Sequence, residues 1–383
     1  MQRGTLLLKV AMLSCTVFLL GRIFLKEFKM FERKPSSPSE FRDIILFEAI
    51  KGLKLNLFHD NFDTVRFNFD GVDRSNQFDV GERVRWFSWF QENVENLFKT
   101  YQLLNGEICK LRYLTIIAYR LAGHHSMRIK TSYDTSPEAY SNYLQLEAGS
   151  PSALDTKGMF GSLKHLDFEF KGKRYVADCL GLEYCLFRGQ YFFDEEGVRL
   201  QVEENDHVVD AGACLGDASL VFAKAVGPDG RVYAFDPVED HLEVVRHNAA
   251  QNPDCSIQAM PYGLSDRDTD CPTMRLGNYA PGFNSANAPV PLRSLDSLVA
   301  QGEIPKLDFI KMDIEGAELA ALKGAMAAIK IFRPKLAISL YHKPNDLFEI
   351  PSFINANFPF YQMFLGHYTI HNEETVLYCK PIS

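Results

Sequence analysis

The chain has 383 residues, of which 46% are hydrophobic and 13% aromatic, so it is long enough to bury a sizeable core and to form two domains. Its formal net charge is −8 and it has no Lys- and Arg-rich stripe interleaved with aromatic residues, which argues against nucleic acid as a partner. The eight cysteines are scattered singly and form no C-x-x-C pairs, which is typical of reduced thiols in a cytoplasmic protein.

The first 40 residues form a hydrophobic and basic segment followed by a linker. The apolar run from Val10 to Leu20 is 11 residues long, whereas a membrane-spanning helix needs about 20 apolar residues. The order of charges suits a signal peptide, but no small-x-small cleavage site follows the run. We therefore expect a cytoplasmic protein whose terminal helix packs on the protein or makes peripheral membrane contact through residues 1–30, while an anchor and a signal stay open. The polar, proline-broken segment 33–40 is the expected linker.

Residues 41–155 have a mainly helical pattern and form the expected accessory region. Apolar side chains spaced three and four apart from Phe87 to Leu104 predict one amphipathic helix, and Glu107 to Leu121 predicts a second. We interpret Trp86 and Trp89, at the start of the first helix, as core residues, with a ligand platform as the less favoured alternative. The expected task of residues 41–199 is acceptor recognition or dimer contact, and the sequence leaves the oligomeric state open.

The hydrophobic pattern then changes from a helical to an alternating period. Residues 156–202 contain a β-hairpin lead-in, predicted from His165 to Asp178 with Gly172 in its turn. From residue 203 to the C-terminus, short β-rich runs alternate with helical segments, which is the signature of a doubly wound, mostly parallel α/β sheet. The predicted elements are strands at His207–Val209, Arg231–Phe235, Ser256–Pro261, Leu307–Met312 and Lys335–Tyr341, helices at Asp217–Val226, Asp240–Gln251 and Glu318–Lys330, and a closing antiparallel hairpin of Tyr361–Gly366 and Thr375–Lys380.

The sharpest local motif is VVDAGACLGD, in which a β-run ends at Asp210 and a helix opens at Asp217. Gly212 allows a tight bend after the strand, and Gly216 lets the start of the helix approach a ligand without an intervening Cβ. The spacing is not that of G-x-G-x-x-G, and the two acidic residues would repel a phosphate. A carboxylate before the glycines suits a ligand that carries a cationic amino group and a sulfonium, such as S-adenosylmethionine.

Two further candidate sites follow the second and third predicted strands. Asp236 ends the run VYAFD, where its carboxylate can accept hydrogen bonds from two ribose hydroxyls; a turn residue before Pro237 is the alternative. Ser265 and Asp266 follow the third strand, near the expected position of an adenine ring, where Asp266 can accept from the exocyclic amine. A plain turn is the alternative for this pair.

The densest group of acids is in FIKMDIEGAE, where the fourth predicted strand runs into Asp313 and Glu315. Carboxylates crowded this closely are costly unless something uses them, and open sheets bind ligands at the carboxyl ends of their strands. His342 ends the fifth predicted strand at the same edge. The three residues can therefore act as general base, directly or through a bound divalent cation.

Three other polar residues near this edge receive lesser roles. Glu318 is expected only to cap the helix that follows, because the positive end of a helix favours a carboxylate. His367 and His371 lie in the turn of the final hairpin, where either can face the cleft or the solvent.

Taken in order, the segments VVDAGACLGD, VYAFDP, YGLSD, FIKMDIEGAE, PKLAISLYH and HYTIHNEETVLYC resemble the FkbM-type methyltransferase family over half of the chain. The segment DIEGAE with the downstream SLYH is the most specific part. The sequence departs from the family pattern at Cys214, where many methyltransferases have a small or amide residue, and at Asp236, where the family usually has Glu. Cofactor binding is expected to survive both changes, because Asp also accepts two hydroxyls.

The resemblance implies a class I methyltransferase sheet over residues 203–383 and an S-adenosylmethionine-dependent O-methyltransferase acting on a hydroxyl of a sugar, glycan or secondary metabolite. A divalent metal is compatible with this chemistry but is not expected. The alternatives are a catalytically silent scaffold that binds the cofactor or a glycan, and a nucleotide-dependent oxidoreductase, which the absent G-x-G-x-x-G disfavours. The residues expected to bind the cofactor are Asp210, Gly212, Ala213, Gly216, Asp217, Asp236, Ser265 and Asp266, and the expected catalytic residues are Asp313, Glu315 and His342.

Overall fold

The computed structural model describes residues 34–55, 61–62, 79–133, 136–155, 163–270, 273–274, 288–289 and 291–382. The apolar run Val10 to Leu20, with its predicted membrane or signal role, lies outside these residues. Within the described ranges, no helix combines the length and the apolar character needed to cross a membrane. The cysteines in these ranges are free thiols, as their scattered positions predict.

Four helices make up most of the accessory region. Asp79 and Ser136 cap the second and the fourth of them, each side chain accepting the backbone N–H three residues later. The four are α1 (Pro38–Leu55), α2 (Val80–Leu103), α3 (Glu107–Ala122) and α4 (Pro137–Leu146).

The accessory region differs from the sequence prediction at two places. Helix α1 begins inside the expected linker 33–40, because proline is tolerated in the first turn of a helix. Helix α4 is not among the helices predicted for residues 41–155. Its Ser136 cap and Pro137 in the first turn are helix-start signals that the polar composition concealed.

Small antiparallel units lead into the second half of the chain. Strand β1 (Ser150–Pro151) pairs with β2 (Lys164–Phe170), which forms the predicted hairpin with β3 (Lys173–Cys179). A short helix α5 (Glu183–Leu186) and a second hairpin follow. The second hairpin consists of β4 (Phe193–Glu195) and β5 (Val198–Leu200).

Strands and helices alternate through the second half. The strands are β6 (His207–Ala211), β7 (Arg231–Phe235), β8 (Ile257–Met260), β9 (Gly263–Leu264), β10 (Thr273–Met274), β11 (Ala288–Pro289), β12 (Leu292–Arg293), β13 (Phe309–Met312), β14 (Lys335–Ser339), β15 (Tyr361–His367) and β16 (Thr375–Pro381). The helices are α6 (Asp217–Val226), α7 (Glu239–Ala250), α8 (Leu295–Ala300), α9 (Glu318–Lys323), α10 (Met326–Phe332) and α11 (Asp346–Asn357).

A seven-stranded sheet forms the centre of the second half, in the order β15-β16-β14-β13-β6-β7-β8. The five strands from β14 to β8 are parallel, and β16 runs antiparallel to both β14 and β15. Strand β13 is buried along its whole length, which explains its continuous run of long side chains. The predicted fold class is therefore confirmed. From β6 the successive strands β7 and β8 are added on one side, whereas β13 and β14 lie on the other side of β6. Open sheets bind ligands where the strand order reverses in this way, so the expected crevice lies between β6 and β13.

Two elements of the second half differ from the prediction. The single helix expected over Glu318–Lys330 is two helices, α9 and α10, separated at Gly324. A Cβ on Gly324 would lie 1.9 Å from the carbonyl oxygen of Ser265, so the glycine serves a close backbone approach. Helix α11, which carries Pro351 in its interior, has no counterpart in the prediction.

The accessory helices pack directly on the sheet and share its hydrophobic core. Helix α2 contacts α11, and α3 contacts β15. The fully buried guanidinium of Arg112 donates to both carboxylate oxygens of Glu195 at 2.8 Å and to the carbonyl of Leu365. The hydroxyl of Tyr113 donates to the carbonyl of Leu347 at 3.0 Å. These contacts fix the helices against β4, β15 and α11.

Candidate active site

Asp210, at the end of β6, is fully buried and bonded to protein groups. Its Oδ1 lies 2.9 Å from Nζ of Lys311 on the neighbouring strand β13, and its Oδ2 accepts from the Ser219 hydroxyl at 2.5 Å. Lys311 also donates to the carbonyls of Ala211 and Gly212, at 3.1 and 2.7 Å. The expected direct hold of Asp210 on a ligand ammonium therefore has to compete with Lys311, a residue that the sequence interpretation missed.

The glycine turn after β6 brings the chain against the end of β13. Gly212 has a φ of 79°, and a Cβ there would lie 1.8 Å from the carbonyl oxygen of Asp313. The backbone N–H groups of Gly212 and Ala213 both donate to the carbonyl of Phe235, at 2.9 Å. Gly216, with a φ of 81°, precedes the first residue of α6. The turn is thus fixed to both neighbouring strands.

Asp236 follows β7 and its carboxylate accepts from three protein donors. Its Oδ2 accepts the N–H of Cys214 at 3.0 Å, and its Oδ1 accepts the N–H of Val238 at 2.9 Å. Nδ1 of His241 lies 3.1 Å from Oδ1. The carboxylate couples the glycine turn to the start of α7, next to the position expected for a ribose.

Ser265 and Asp266 are not at the end of the third parallel strand. That strand, β8, ends at Met260, and the following residues form β9, which pairs with β12 outside the main sheet. Ser265 is buried with its N–H bonded to the carbonyl of Arg293, whereas Asp266 is exposed. The sequence merged two separate strands into one, and an adenine contact for this pair remains a prediction.

Asp313 lies beyond the end of β13 and accepts from two tyrosine hydroxyls. Tyr191 donates to Oδ2 at 2.8 Å, and Tyr341 donates to Oδ1 at 2.9 Å. Nε2 of His342 lies 3.2 Å from Oδ1. The hydrogen bonds and the charge of His342 outweigh burial and hold the pKa of Asp313 well below its usual range.

His342 is enclosed by acids on both sides of its ring, and its side chain is 8% exposed. Nδ1 lies 2.8 Å from Oε1 of the fully buried Glu318, and Nε2 faces Asp313 and, at 3.8 Å, Glu315. Burial opposes the charged form, but the two nearer carboxylates prevail and raise the pKa of His342 to about 11. Glu318 also accepts the N–H of Ile314 at 2.9 Å, so the expected role as a helix cap covers only part of its contacts.

Glu315 differs from its two neighbours in exposure and in acidity. Its side chain is 49% exposed, its backbone φ is 55°, and burial of the remaining surface raises its pKa. Asp313, Glu318 and His342 also have the donor types of a metal site, with ligand atoms within 4.8 Å of one another. One edge of the sheet thus carries the protonated imidazole of His342, the carboxylate of Asp313 with a lowered pKa, and the accessible carboxylate of Glu315 with a raised pKa.

The two histidines of the final hairpin lie away from this group. His367 is fully buried with Nδ1 3.0 Å from the Thr375 hydroxyl, and burial lowers its pKa to about 3. Nδ1 of His371 lies 3.0 Å from the hydroxyl of Tyr119. His367 therefore joins the two strands of the hairpin, and His371 holds the hairpin against α3.

A cavity of about 220 Å³ opens beside the glycine turn and Asp313. Asp217, at the start of α6, lines it, and burial raises the pKa of this carboxyl to about 6. Sequence reasoning missed two kinds of lining residue. Cys179, Tyr184, Gln190 and Tyr191 come from a segment that carries no motif, whereas Lys311 and Glu374 lie in FIKMDIEGAE and HYTIHNEETVLYC but received no role.

Comparison with known proteins gives consistent matches. Residues 210–364 match the model of the methyltransferase FkbM domain. A relative, the hexuronic acid methyltransferase AglP of Haloferax volcanii, is 28% identical over 144 residues, which cover 36% of this chain and 58% of the relative. The chain therefore spans less than two thirds of the length of that relative.

A solved structure shares the fold. The crystal structure of a methyltransferase FkbM from Methylobacillus flagellatus is 22% identical, with a TM-score of 0.52, and the match covers 84% of this chain and 72% of the other. At that identity the likeness concerns the fold alone, and it extends beyond the matched domain into the accessory region.

Proposed function

We propose that the protein is an S-adenosylmethionine-dependent O-methyltransferase acting on a sugar hydroxyl, from the premise that residues 210–364 match the model of the methyltransferase FkbM domain. The single observation that carries the proposal is the contact between the glycine turn and the acidic group. Because Gly212 lies against the carbonyl of Asp313, a cofactor held by the turn would present its methyl group beside Asp313 and His342. The substrate class is supported by the name of the relative, which methylates a hexuronic acid.

The residues of the crevice suit this cofactor. Asp217 and Asp313 place negative charge where the amino and sulfonium groups would lie, and Asp236 stands at the end of β7, where a ribose would accept and donate hydrogen bonds. The cofactor supplies the methyl group as a sulfonium substituent. The task of the protein is then to align the acceptor oxygen with that group and to exclude water, which supplies most of the rate in a displacement of this type.

Glu315 is the residue we assign as general base. His342 carries its proton between Asp313 and Glu318 and has no free lone pair to accept another, and Asp313 is engaged by two hydroxyls and the imidazole. Glu315 is accessible and has a raised pKa, so it can take the proton of an acceptor hydroxyl. The positive charge of His342 would stabilise the developing alkoxide. This assignment needs no divalent metal.

The test begins with isothermal titration of S-adenosylmethionine into the full chain. Asp236→Asn should weaken binding about tenfold or more, because an amide replaces an acceptor that faces backbone N–H groups. Asp229→Asn, in an exposed turn, is the matched control. Absence of binding to the folded wild type would refute the proposal.

The substrate class needs a second assay. Methyl transfer from labelled cofactor should be measured on uronic acids, on neutral sugars and on phenolic metabolites, with and without a chelator. Transfer only to non-sugar acceptors would contradict the sugar assignment, and loss of transfer with the chelator would contradict the metal-free mechanism.

A further inference from the structure

The cavity beside the glycine turn shows which carboxylates can face the ammonium group of the cofactor. The acid that the sequence motif offers, Asp210, does not line this cavity, because Lys311 and Ser219 hold its carboxylate beneath the turn. The volume of about 220 Å³ is below the range of about 300–1,000 Å³ typical of whole drug-sized ligands, so it suits an amino-acid-sized group.

One wall of the cavity comes from outside the matched family domain. Seven of the lining residues come from residues 179–191, which connect β3 to the second hairpin, and Glu374 comes from the turn between β15 and β16. The family domain spans residues 210–364. The cavity is therefore closed only when residues 179–191 and the last hairpin pack against the glycine turn.

These outside residues are joined to the candidate active site by hydrogen bonds. Nε2 of Gln190 donates to Oε2 of Glu374 at 2.8 Å and to the hydroxyl of Tyr191 at 3.0 Å. Tyr191 in turn donates to Asp313 at 2.8 Å. The network fixes the carboxylate of Glu374 in relation to Asp313, which directly follows β13.

The backbone around the cavity is held in an unusual conformation. Tyr191, Cys214, Glu315 and Glu374 have φ values of 72°, 47°, 55° and 56°, which non-glycine residues rarely adopt. Such strain persists only where the surrounding structure imposes it, and it concentrates at ligand sites. Glu374 is 7% exposed, so its carboxylate is placed in this wall at a cost in both strain and desolvation.

The charged groups that face the cavity have different neighbours. Lys311 is directed to Asp210 and to two carbonyls of the turn. Asp313 accepts from two hydroxyls and lies against the imidazole of His342. Gln190 donates to Glu374 through its amide. Glu374 and Asp217 are the other carboxylates that line the cavity, so an ammonium group bound there would lie beside them.

We propose that Glu374, oriented by Gln190 and Tyr191, binds the α-ammonium group of the methionine moiety of the cofactor. The inference rests on the proposed function, since it assigns one contact within the cofactor site. It makes the last hairpin, rather than the Asp210 motif, the part of the chain that recognises the amino-acid end. Asp217, across the cavity, supplies the second carboxylate.

The experiment compares two ligands that differ only in that end. S-adenosylhomocysteine carries the amino-acid group, whereas 5′-methylthioadenosine lacks it. Affinities of both are measured by titration calorimetry for the full-length wild type, Glu374→Gln and the control Glu373→Gln, a neighbour in the same turn that does not line the cavity. Glu374→Gln should weaken S-adenosylhomocysteine about 10- to 100-fold and leave 5′-methylthioadenosine unchanged, whereas the control should change neither.

The remaining outcomes separate the two proposals. Unchanged affinity of Glu374→Gln for both ligands, or an equal loss for both, would overturn the ammonium assignment while leaving the proposed function intact. A wild type that binds neither ligand would overturn the proposed function itself. Gln190→Met, which removes the orienting amide but keeps the carboxylate, should show a smaller loss confined to S-adenosylhomocysteine. An unchanged affinity of that variant would overturn the orienting role of Gln190.

Discussion

His342 shows how a residue can change its apparent role once its neighbours are known. As the last residue of a strand run it suits a general base, but Glu318 and Asp313 flank its two ring nitrogens at 2.8 and 3.2 Å. A base must be unprotonated at the working pH, and this imidazole is held in its charged form. The difference comes from the buried carboxylate of Glu318, which lies five residues after Asp313.

We predict that His342→Gln loses stability as well as activity. Removing the cation leaves buried carboxylates without their counter-charge, at a cost of about 3 kcal/mol or more in the free energy of unfolding at neutral pH. Because the folded-state pKa of about 11 exceeds the ordinary 6.5, the stabilisation is complete below pH 6.5 and is lost as the pH rises through 11. Urea unfolding of wild type and variant across this pH range measures it, and a difference that grows with pH would contradict the ion-pair assignment.

The ionised carboxylate of Asp217 is expected to lower the stability of the fold and to strengthen cofactor binding. Its folded-state pKa of about 6 lies above the ordinary 3.8, so burial stabilises the protonated form; that contribution is present below pH 3.8 and is lost as the pH rises through 6. Asp217→Asn should therefore melt at a higher temperature than wild type at pH 8 but not at pH 4. Its affinity for S-adenosylmethionine should be lower at pH 8, because the variant lacks the carboxylate that faces the ligand. A variant that binds as well as wild type at pH 8 would remove Asp217 from the cofactor site.

At the scale of elements, the site depends on how closely the turn after β6 approaches β13. Both strands end at the same edge, and Gly212 closes the distance to the carbonyl of Asp313. Sequence spacing predicted that a glycine is needed here for a bend. The structure adds a second requirement, the absence of a side chain between two strands.

Two glycines of nearly equal φ separate these requirements. Gly212 has a φ of 79° and a crowded Cβ position, whereas Gly172, in the β2–β3 turn, has a φ of 75° and nothing within 4 Å. Gly172→Ala should cost about 1 kcal/mol, the price of the left-handed backbone alone. Gly212→Ala should cost several times more and abolish cofactor binding, as measured by thermal unfolding and calorimetry. Equal losses in the two variants would show that the close approach to Asp313 is unimportant.

The element boundaries show which sequence signals are reliable. Short β-rich runs predicted each of the five parallel strands, and the helix predicted over Asp217–Val226 has the same bounds in the structure. The break at Gly324 and the short strand β9 escaped prediction, since each depends on a contact between distant backbone segments. Local pattern carries no information about such contacts.

For the whole molecule, the accessory helices and the sheet are expected to unfold together. Arg112 on α3 binds Glu195 on β4 and the carbonyl of Leu365 on β15, so it joins three parts of the chain from a fully buried position. Arg112→Met should lower the free energy of unfolding by about 3–5 kcal/mol, because Glu195 loses its counter-ion. Calorimetry should show one transition that shifts as a unit.

The control for this prediction is an exposed ion pair. Arg199 lies 2.9 Å from Asp194, and both side chains are more than half exposed. Arg199→Met should change the free energy of unfolding by less than about 1 kcal/mol. Two separate transitions in the Arg112→Met scan, with only one of them shifted, would contradict the view that the accessory region and the sheet form one cooperative unit.

The sequence by itself determined the fold class and the edge of the sheet at which the candidate site residues meet. Alternating hydrophobic periods specify a parallel sheet, and the acids and glycines that follow its strands all meet at one end of that sheet, because parallel strands share their direction. The order of motifs was also enough to identify the family resemblance, which the comparison with known proteins confirmed.

Only the tertiary structure decided which acids are available to a ligand. Asp210 is taken by Lys311, Asp313 by Tyr191 and Tyr341, and the cavity wall comes from segments that lie 20 or more residues before the glycine turn or far beyond the acidic group. Whether a carboxylate is free, paired or protonated depends on neighbours within a few ångströms. Those neighbours are brought together by packing between distant segments, which no local pattern in the sequence records.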